Sequence, residues 1–180
     1  LQQLVTFHRQ QFSFPIIGIT GSNGKTIIKE WLFQLLNPDF KIARNPGSYN
    51  SQIGVPLSVW QLTPAHNLGI FEAGISEVGE MEKIAPVIDC TIGIFTNIGE
   101  AHSEGFTSKQ QKIEEKLELF KSADRLIYCR DNELIDSTVK SFKNNLNSGF
   151  SKAKLFSWST KKAADLNILT TKKDRDKTII

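Results

Sequence analysis

Apolar residues along this chain follow two rhythms that take turns. Short unbroken apolar runs alternate with stretches in which apolar residues return every three or four positions. The first rhythm suits a strand buried on both faces, the second an amphipathic helix. Leu1, Leu4, Val5 and His8 share one helical face, which predicts a helix over residues 1–10 that packs on, or leads into, the body of the domain. Phe14-Pro15-Ile16-Ile17 reads as a buried strand. Ile27, Ile28, Trp31, Leu32 and Leu35 read as a helix that closes near Asn37-Pro38. Residues 40–43 form a short strand, and 53–57 open a short helix through Trp60 and Leu62, with Pro56 in its first turn. A strand over 67–71 ends at Glu72, and a helix over 77–84 is expected to stop before Pro86. Then come a strand at 90–96, a helix carrying Ile113, Leu117 and Phe120 inward, a strand at 126–129 and a helix at 132–142. Ser108-x-x-Gln111 is the capping-box signature that starts the first of these two helices.

After a polar stretch over 143–152 the pattern changes. Residues 155–158, 166–169 and 178–180 read as short strands with no helices between them. Strand–helix alternation over roughly the first 145 residues argues an α/β fold, a mostly parallel sheet with helices on both faces. The terminal strands are expected to add a small antiparallel extension at the C-terminal end.

At 180 residues the chain is sized for one domain with a substantial core. No apolar run approaches the ~20 residues that span a bilayer, so no membrane role is expected. The two cysteines, Cys90 and Cys129, have no partner at metal-ligand spacing, which suits a reduced, cytoplasmic protein. The chain opens at Leu1 without a signal region and reads as an internal piece of a longer protein. Its net charge of +3 divides into −4 before residue 140 and +7 from there on. Those late lysines are scattered among Ser, Asn and Asp with little aromatic interleaving, so a solvated surface, not nucleic acid, is the expected reading.

The chemistry begins at Gly18-Ile19-Thr20-Gly21-Ser22-Asn23-Gly24-Lys25-Thr26, placed between the first strand and its helix. A glycine loop followed by a helix N-terminus aims unpaired N–H groups and a positive dipole end at one volume, which favours phosphate. Lys25 adds an ammonium for the outer phosphates, and the Thr26 hydroxyl is placed to ligate Mg²⁺. The usual phosphate-loop pattern begins with a glycine where this chain has Ile19, so the loop is a tighter variant, Thr20-Gly21-x-x-Gly24-Lys25-Thr26.

Ligands of open parallel sheets bind beyond the carboxyl ends of the strands. Glu72 stands at such an end, where a metal-binding carboxylate belongs; its plain alternative is a turn or cap carboxylate. Asn50 lies in a turn-rich loop, Asn45-Pro46-Gly47-Ser48-Tyr49-Asn50-Ser51, and read alone is a turn residue. His102 lies past the 90–96 strand and could be an ordinary loop histidine. Lys116 sits on a charged helix, Glu114-Glu115-Lys116-Leu117-Glu118, where a solvated lysine is the usual outcome, although its spacing puts it beside the Ile113/Phe120 edge.

Several ordered segments together resemble one family. The loop Thr20–Thr26, the segment Asn50-Ser51-Gln52-Ile53-Gly54-Val55-Pro56-Leu57, and the block Thr96-Asn97-Ile98-Gly99-Glu100-Ala101-His102-Ser103-Glu104-Gly105-Phe106 are similar to those of the Mur ligases and folylpolyglutamate synthases. Glu72-Ala73-Gly74, with Gly79-Glu80-Met81 behind it, most resembles the branch that adds D-alanyl-D-alanine. Chains in which such a ligase is fused to an alanine racemase are similar too.

The resemblance implies a central ATP-binding domain over residues 13–180, cut short at its C-terminal end, with 1–12 a linker helix from a preceding domain. It implies ATP and Mg²⁺ as cofactors, with Gly21, Ser22, Asn23, Gly24, Lys25, Thr26 and Asn50 near the nucleotide. Thr26, Glu72, His102 and Lys116 would hold metal, Lys116 as the family's carbamylated lysine, fourteen residues past the motif histidine. Lys25, His102 and Lys116 would be catalytic. The implied reaction activates the carboxylate of a UDP-N-acetylmuramoyl-tripeptide as an acyl phosphate, which the amine of D-alanyl-D-alanine attacks. The flanking domains of the same chain are its implied partners, and the fragment alone is expected not to ligate. Two other readings stay open: a folylpolyglutamate synthase-like ligase, and a nucleotide-binding domain without activity.

Overall fold

The structure is a computed structural model that describes residues 1–99, 105–145, 150–174 and 177–179. Its elements run α1 (Gln2–Arg9), β1 (Ile16–Thr20), α2 (Lys25–Leu36), β2 (Ile42–Arg44), α3 (Gly54–Val59), β3 (Leu68–Glu72), α4 (Glu80–Ile88) and β4 (Ile92–Phe95). Next are α5 (Lys109–Leu117), continued by a 3-10 turn (Glu118–Phe120), β5 (Arg125–Cys129), α6 (Glu133–Asn144), a 3-10 turn (Phe150–Lys152), β6 (Lys154–Ser159), β7 (Leu166–Asn167), β8 (Lys172–Asp174) and β9 (Lys177–Ile179). Among the described residues no helix is long and apolar enough to cross a membrane.

Seven strands form one parallel sheet in the order β2-β3-β1-β4-β5-β6-β7. The chain reverses direction across the sheet between β3 and β4, on either side of β1, which is where open α/β sheets place ligands. The carboxyl ends of β1 and β3 deliver the phosphate loop and Glu72 side by side, with Ile19 paired to Glu72.

The two faces of this sheet are covered unequally. On one, α1 and α3 to α6 enclose a core of Val5, Phe71, Met81, Ile84, Phe95, Ile113, Phe120, Leu126, Tyr128 and their neighbours. The 3-10 turn after α5 can lie flat on this face because Gly93 has no side chain; a Cβ there would stand 2.4 Å from the Phe120 ring. The opposite face carries Ile17, Ile19, Leu68, Ile70, Ile92 and Ile94, and α2 packs on it through Ile28, Leu32 and Leu36. Farther along that face Ile127, Phe156 and Trp158 are only half-buried.

Several expectations need correction. In α1 only Val5 and Arg9 are buried, while Leu1 and Leu4 are exposed. Arg9 donates to Ile88 O at 3.0 Å and Asp89 O at 2.9 Å, fixing α1 to the end of α4. In α2 the apolar set splits: Ile28 and Leu32 face the sheet, whereas Ile27, Trp31 and Leu35 form an exposed flank. α4 runs through Pro86 to Ile88, beginning three residues later than expected. The missing Pro86 N–H is tolerated there because Val87 and Ile88 gain a buried place in the core. Finally, β6 and β7 do not start an antiparallel extension but prolong the parallel sheet, Phe156 opposite Ile127 and Leu166 opposite Trp158. Their short connection is pinned by Asp165, which accepts from Ser157 N at 2.7 Å and Ser157 Oγ at 2.8 Å. The antiparallel pair is β8 with β9.

Candidate active site

The phosphate loop is held by the strand-end segment after β4. Ser22 N donates to Asn97 O at 2.9 Å, Asn23 N to Asn97 Oδ1 at 3.0 Å, and Thr96 Oγ1 to Asn23 O at 2.7 Å. Ser22 Oγ in turn accepts from Gly99 N at 2.9 Å. Gly21 makes this docking possible: its φ is +144°, and a Cβ would fall 2.0 Å from Thr96 Oγ1. Gly24, also at positive φ, caps α2 without a side chain, so the helix begins with N–H groups that no side chain covers. Lys25 Nζ rests on two loop carbonyls, Gly21 O at 2.9 Å and Ser22 O at 3.1 Å.

Glu72 is the centre of the second group, fully buried at the end of β3. Its Oε1 accepts from Thr26 Oγ1 at 3.0 Å and Asn50 Nδ2 at 2.8 Å. Its Oε2 accepts no hydrogen bond and lies 3.4 Å from the ammonium of Lys29, itself fully buried. Asn45 locks the backbone of this strand end by accepting from Glu72 N at 2.8 Å and donating to Tyr49 O at 2.8 Å. The Asn50 carbonyl accepts from Gly74 N at 2.8 Å, which carries the turn-rich loop alongside β3.

A cavity of about 340 Å³ opens between these parts, lined among others by Gly21, Lys25, Asn50, Glu80 and Lys116. Glu80 is held below the usual carboxylate range: burial pushes it up, but hydrogen bonds from the Ser76 and Glu77 N–H groups and from Gln52 outweigh that. Lys116 is buried at 2% exposure on α5, whose first turn is capped by Ser108 accepting from Gln111 N at 3.0 Å. Burial, then the neighbouring charges of Lys25 and Lys112, bring its pKa down to about 7. Lys25 is lowered as well, by burial, with Glu72 pulling the other way. Lys112, one turn before Lys116, is buried and donates to Gly99 O at 3.0 Å.

The fold therefore brings Gly21 to Thr26, Asn50, Glu72 and Lys116 to one strand-end region, while His102 lies outside the described residues. Lys29, Asn45 and Lys112 were not picked out by sequence reasoning. The two lysines carried a signal, since each stands four residues from Lys25 or Lys116 and so shares its helical face. Among the described residues no three His, Cys, Asp or Glu side chains gather into a metal site. The donors present still suit a hard cation that keeps phosphate and water ligands: the Thr26 hydroxyl and a buried carboxylate with one oxygen free of hydrogen bonds. The side-chain-free N-terminus of α2 and the ring of ammonium groups suit a polyphosphate.

A compact phosphate loop on a parallel sheet, answered by a strand-end carboxylate and a buried lysine, defines a nucleotide-site architecture of the P-loop kind. The chain belongs to the Mur ligase family: the family's middle domain matches residues 19–179. It is 37% identical over 136 residues to the UDP-N-acetylmuramoyl-tripeptide--D-alanyl-D-alanine ligase of Borreliella burgdorferi, covering 72% of this chain and 29% of that protein. Among solved structures, MurF from Acinetobacter baumannii superposes with a TM-score of 0.83 at 21% identity, over 95% of this chain and 36% of that one. MurF ligase from Thermotoga maritima, in complex with ADP, superposes at 0.80 and 21% identity, over 98% and 40% of the two chains. The sheet and its helices are thus those of Mur ligase middle domains. The chain spans about a third of the length of these relatives.

Proposed function

We propose that this chain is the ATP-binding middle domain of an ATP-dependent amide ligase that joins D-alanyl-D-alanine to a UDP-N-acetylmuramoyl-tripeptide in peptidoglycan precursor synthesis. In this reading residues 13–180 form the nucleotide domain, residues 1–12 link it to a preceding domain, and flanking domains of the full protein bring the two substrates together. The observation that carries it is the meeting of Lys25, Asn50 and Lys116 at one cavity, with Thr26 bonded to Glu72 beside them. The kinship with D-alanyl-D-alanine ligases supports the choice of substrates.

ATP with Mg²⁺ supplies the phosphoryl group that turns the tripeptide carboxylate into an acyl phosphate. The rest is positioning and charge neutralisation by this chain. Gly21 to Gly24 and the N-terminus of α2 would receive phosphate oxygens, and Lys25, held on two loop carbonyls, would supply the ammonium for the outer ones. Thr26 and Glu72 would hold Mg²⁺; Asn50 donates to Glu72 and lines the cavity. With its pKa near 7, Lys116 offers a neutral amine to CO₂ at ordinary pH, and the resulting carbamate would replace a repelled ammonium with an anionic ligand. His102 joins Lys116 in this assignment by its place in the sequence.

The test is made on the full-length protein containing this chain. Release of ADP should require both the tripeptide and Mg²⁺, and ¹³C-bicarbonate should give a carbamate resonance that Lys116→Ala abolishes together with turnover. Tripeptide-independent ADP release would reject the ligase reading. Full turnover in Lys116→Ala would reject the carbamate.

A further inference from the structure

Among the described residues Lys29 is the largest charged side chain with no contact with solvent, and the proposed reaction makes no use of it. It leaves α2 on the flank that faces β2, where Arg44 stacks on the neighbouring Phe33 ring 3.9 Å from its centroid. Its ammonium donates to Asn45 O at 2.9 Å and to Gly47 O, two carbonyls of the turn-rich loop, and lies 3.4 Å from Glu72 Oε2. Three structural parts therefore converge on one nitrogen: the helix that starts with Lys25 and Thr26, the loop that ends with Asn50, and the carboxylate at the end of β3. A buried ammonium is tolerated only when its charge and its donors are all answered, and this one is. Glu72 is answered less completely: its Oε2 has no hydrogen-bond donor, and its ion-pair partner among the described residues is Lys29.

We infer that Lys29 is a positioning residue, the resident counter-charge of Glu72 and the tie between α2 and the Asn45–Asn50 loop, which keeps the carboxylate and Asn50 in register with the phosphate loop before a divalent cation arrives. This rests on the reading of Glu72 as a cation-binding carboxylate. An ammonium beside Oε2 lets the site fold around a buried anion without metal. Mg²⁺ and Lys29 then act as alternative neutralising charges on the same group, so the loss of one makes the protein depend on the other.

The experiment compares thermal melting of the 180-residue chain, Lys29→Met, and Lys29→Met/Glu72→Gln, each in chelator and in excess Mg²⁺. In chelator Lys29→Met should melt lower by about 10 °C, the size expected for stranding one partner of a buried ion pair in a domain of this length. The double variant should regain most of that loss, because the stranded anion is gone. Mg²⁺ should raise Lys29→Met by several degrees and leave the double variant unmoved. A role confined to packing or to the loop carbonyls would not respond to neutralising Glu72. A double variant as unstable as Lys29→Met, or failure of both to fold, would therefore overturn the inference, as would a Mg²⁺ shift equal in all three. The ligase reading fails separately: a full-length protein whose melting responds neither to Mg²⁺ nor to Mg²⁺ with ATP would reject a nucleotide site, while the chelator arm still measures the Lys29–Glu72 pairing.

Discussion

Glu72 and Lys116 are the two ionisable groups on which the site turns, and both are almost wholly buried, yet their surroundings treat their charges in opposite ways. Glu72 ends a strand, and its carboxylate is met by Thr26, Asn50 and the Lys29 ammonium while Asn45 holds its backbone N–H. Lys116 sits on a helix beside two more cations, and its surroundings push it towards the neutral amine. One half of the site is thus largely answered by the polypeptide, whereas the other gathers more positive charge, from Lys25, Lys112 and Lys116, than its carboxylates offset. An incoming anion, whether phosphate or a carbamate on Lys116 itself, relieves the second half and is merely received by the first.

Substitution on the two sides should therefore move stability in opposite directions. Glu72→Ala removes the nearer of the two carboxylates beside the buried Lys29 ammonium, Glu30 Oε1 at 3.6 Å being the other, and should cost about 3 kcal/mol in urea unfolding, the largest effect expected. Lys116→Met removes a disfavoured charge and should leave the chain as stable as wild type or more so at neutral pH. The pH dependence separates the two sides further. The unfolded lysine keeps its proton up to about 10.5, whereas the folded one releases it near 7. Above pH 7 the unfolded state thus binds more protons, and stability rises with pH by up to about 1.4 kcal/mol per unit. Below pH 7 the penalty is fully present. Unfolding from pH 7 to 8, below the unfolded-state titration of Cys90 and Cys129, should show this rise in wild type and lose most of it in Lys116→Met. A steeper slope in the variant would contradict the contrast between the two groups. The smallest effect belongs to Thr26→Val, which deletes one of the two hydrogen-bond donors to the Glu72 carboxylate and should cost about 1 kcal/mol, while weakening Mg²⁺-dependent nucleotide binding more than it weakens the fold.

Much of this was legible in the residues. Phe14–Thr26 announced strand, glycine loop and helix because each piece has its own local cause: a buried run, a turn that needs glycine, a helical period. Glu72 could be placed because a strand's last residue has a definite address in a parallel sheet. What escaped were facts settled by neighbours. Periodicity in α2 shows that it has an apolar side, but not that Ile27 and Trp31 are left outside while Lys29 goes in; that choice depends on where the Asn45–Gly47 carbonyls fall. Pro86 looked like a stop because the rule is local, and buried Val87 and Ile88 overrode it. The parallel placing of β7 was hidden because its link to β6 has no helix to announce a crossover, only Asp165 folding it back onto Ser157, whereas α6 does announce that of β6 beside β5.

The sheet face on which α2 packs also bears on how the chain fluoresces. Two of the three tryptophans border it: Trp31, 63% exposed on the outer flank of the helix, and Trp158, half-buried at the end of β6. The third, Trp60, stacks near His8 on the other side of the sheet, at a ring separation of 4.6 Å. Indole emission from this chain is therefore weighted towards one side of the molecule and towards water. A change in what lies over the end of β6 should therefore shift the emission of Trp158, without a label.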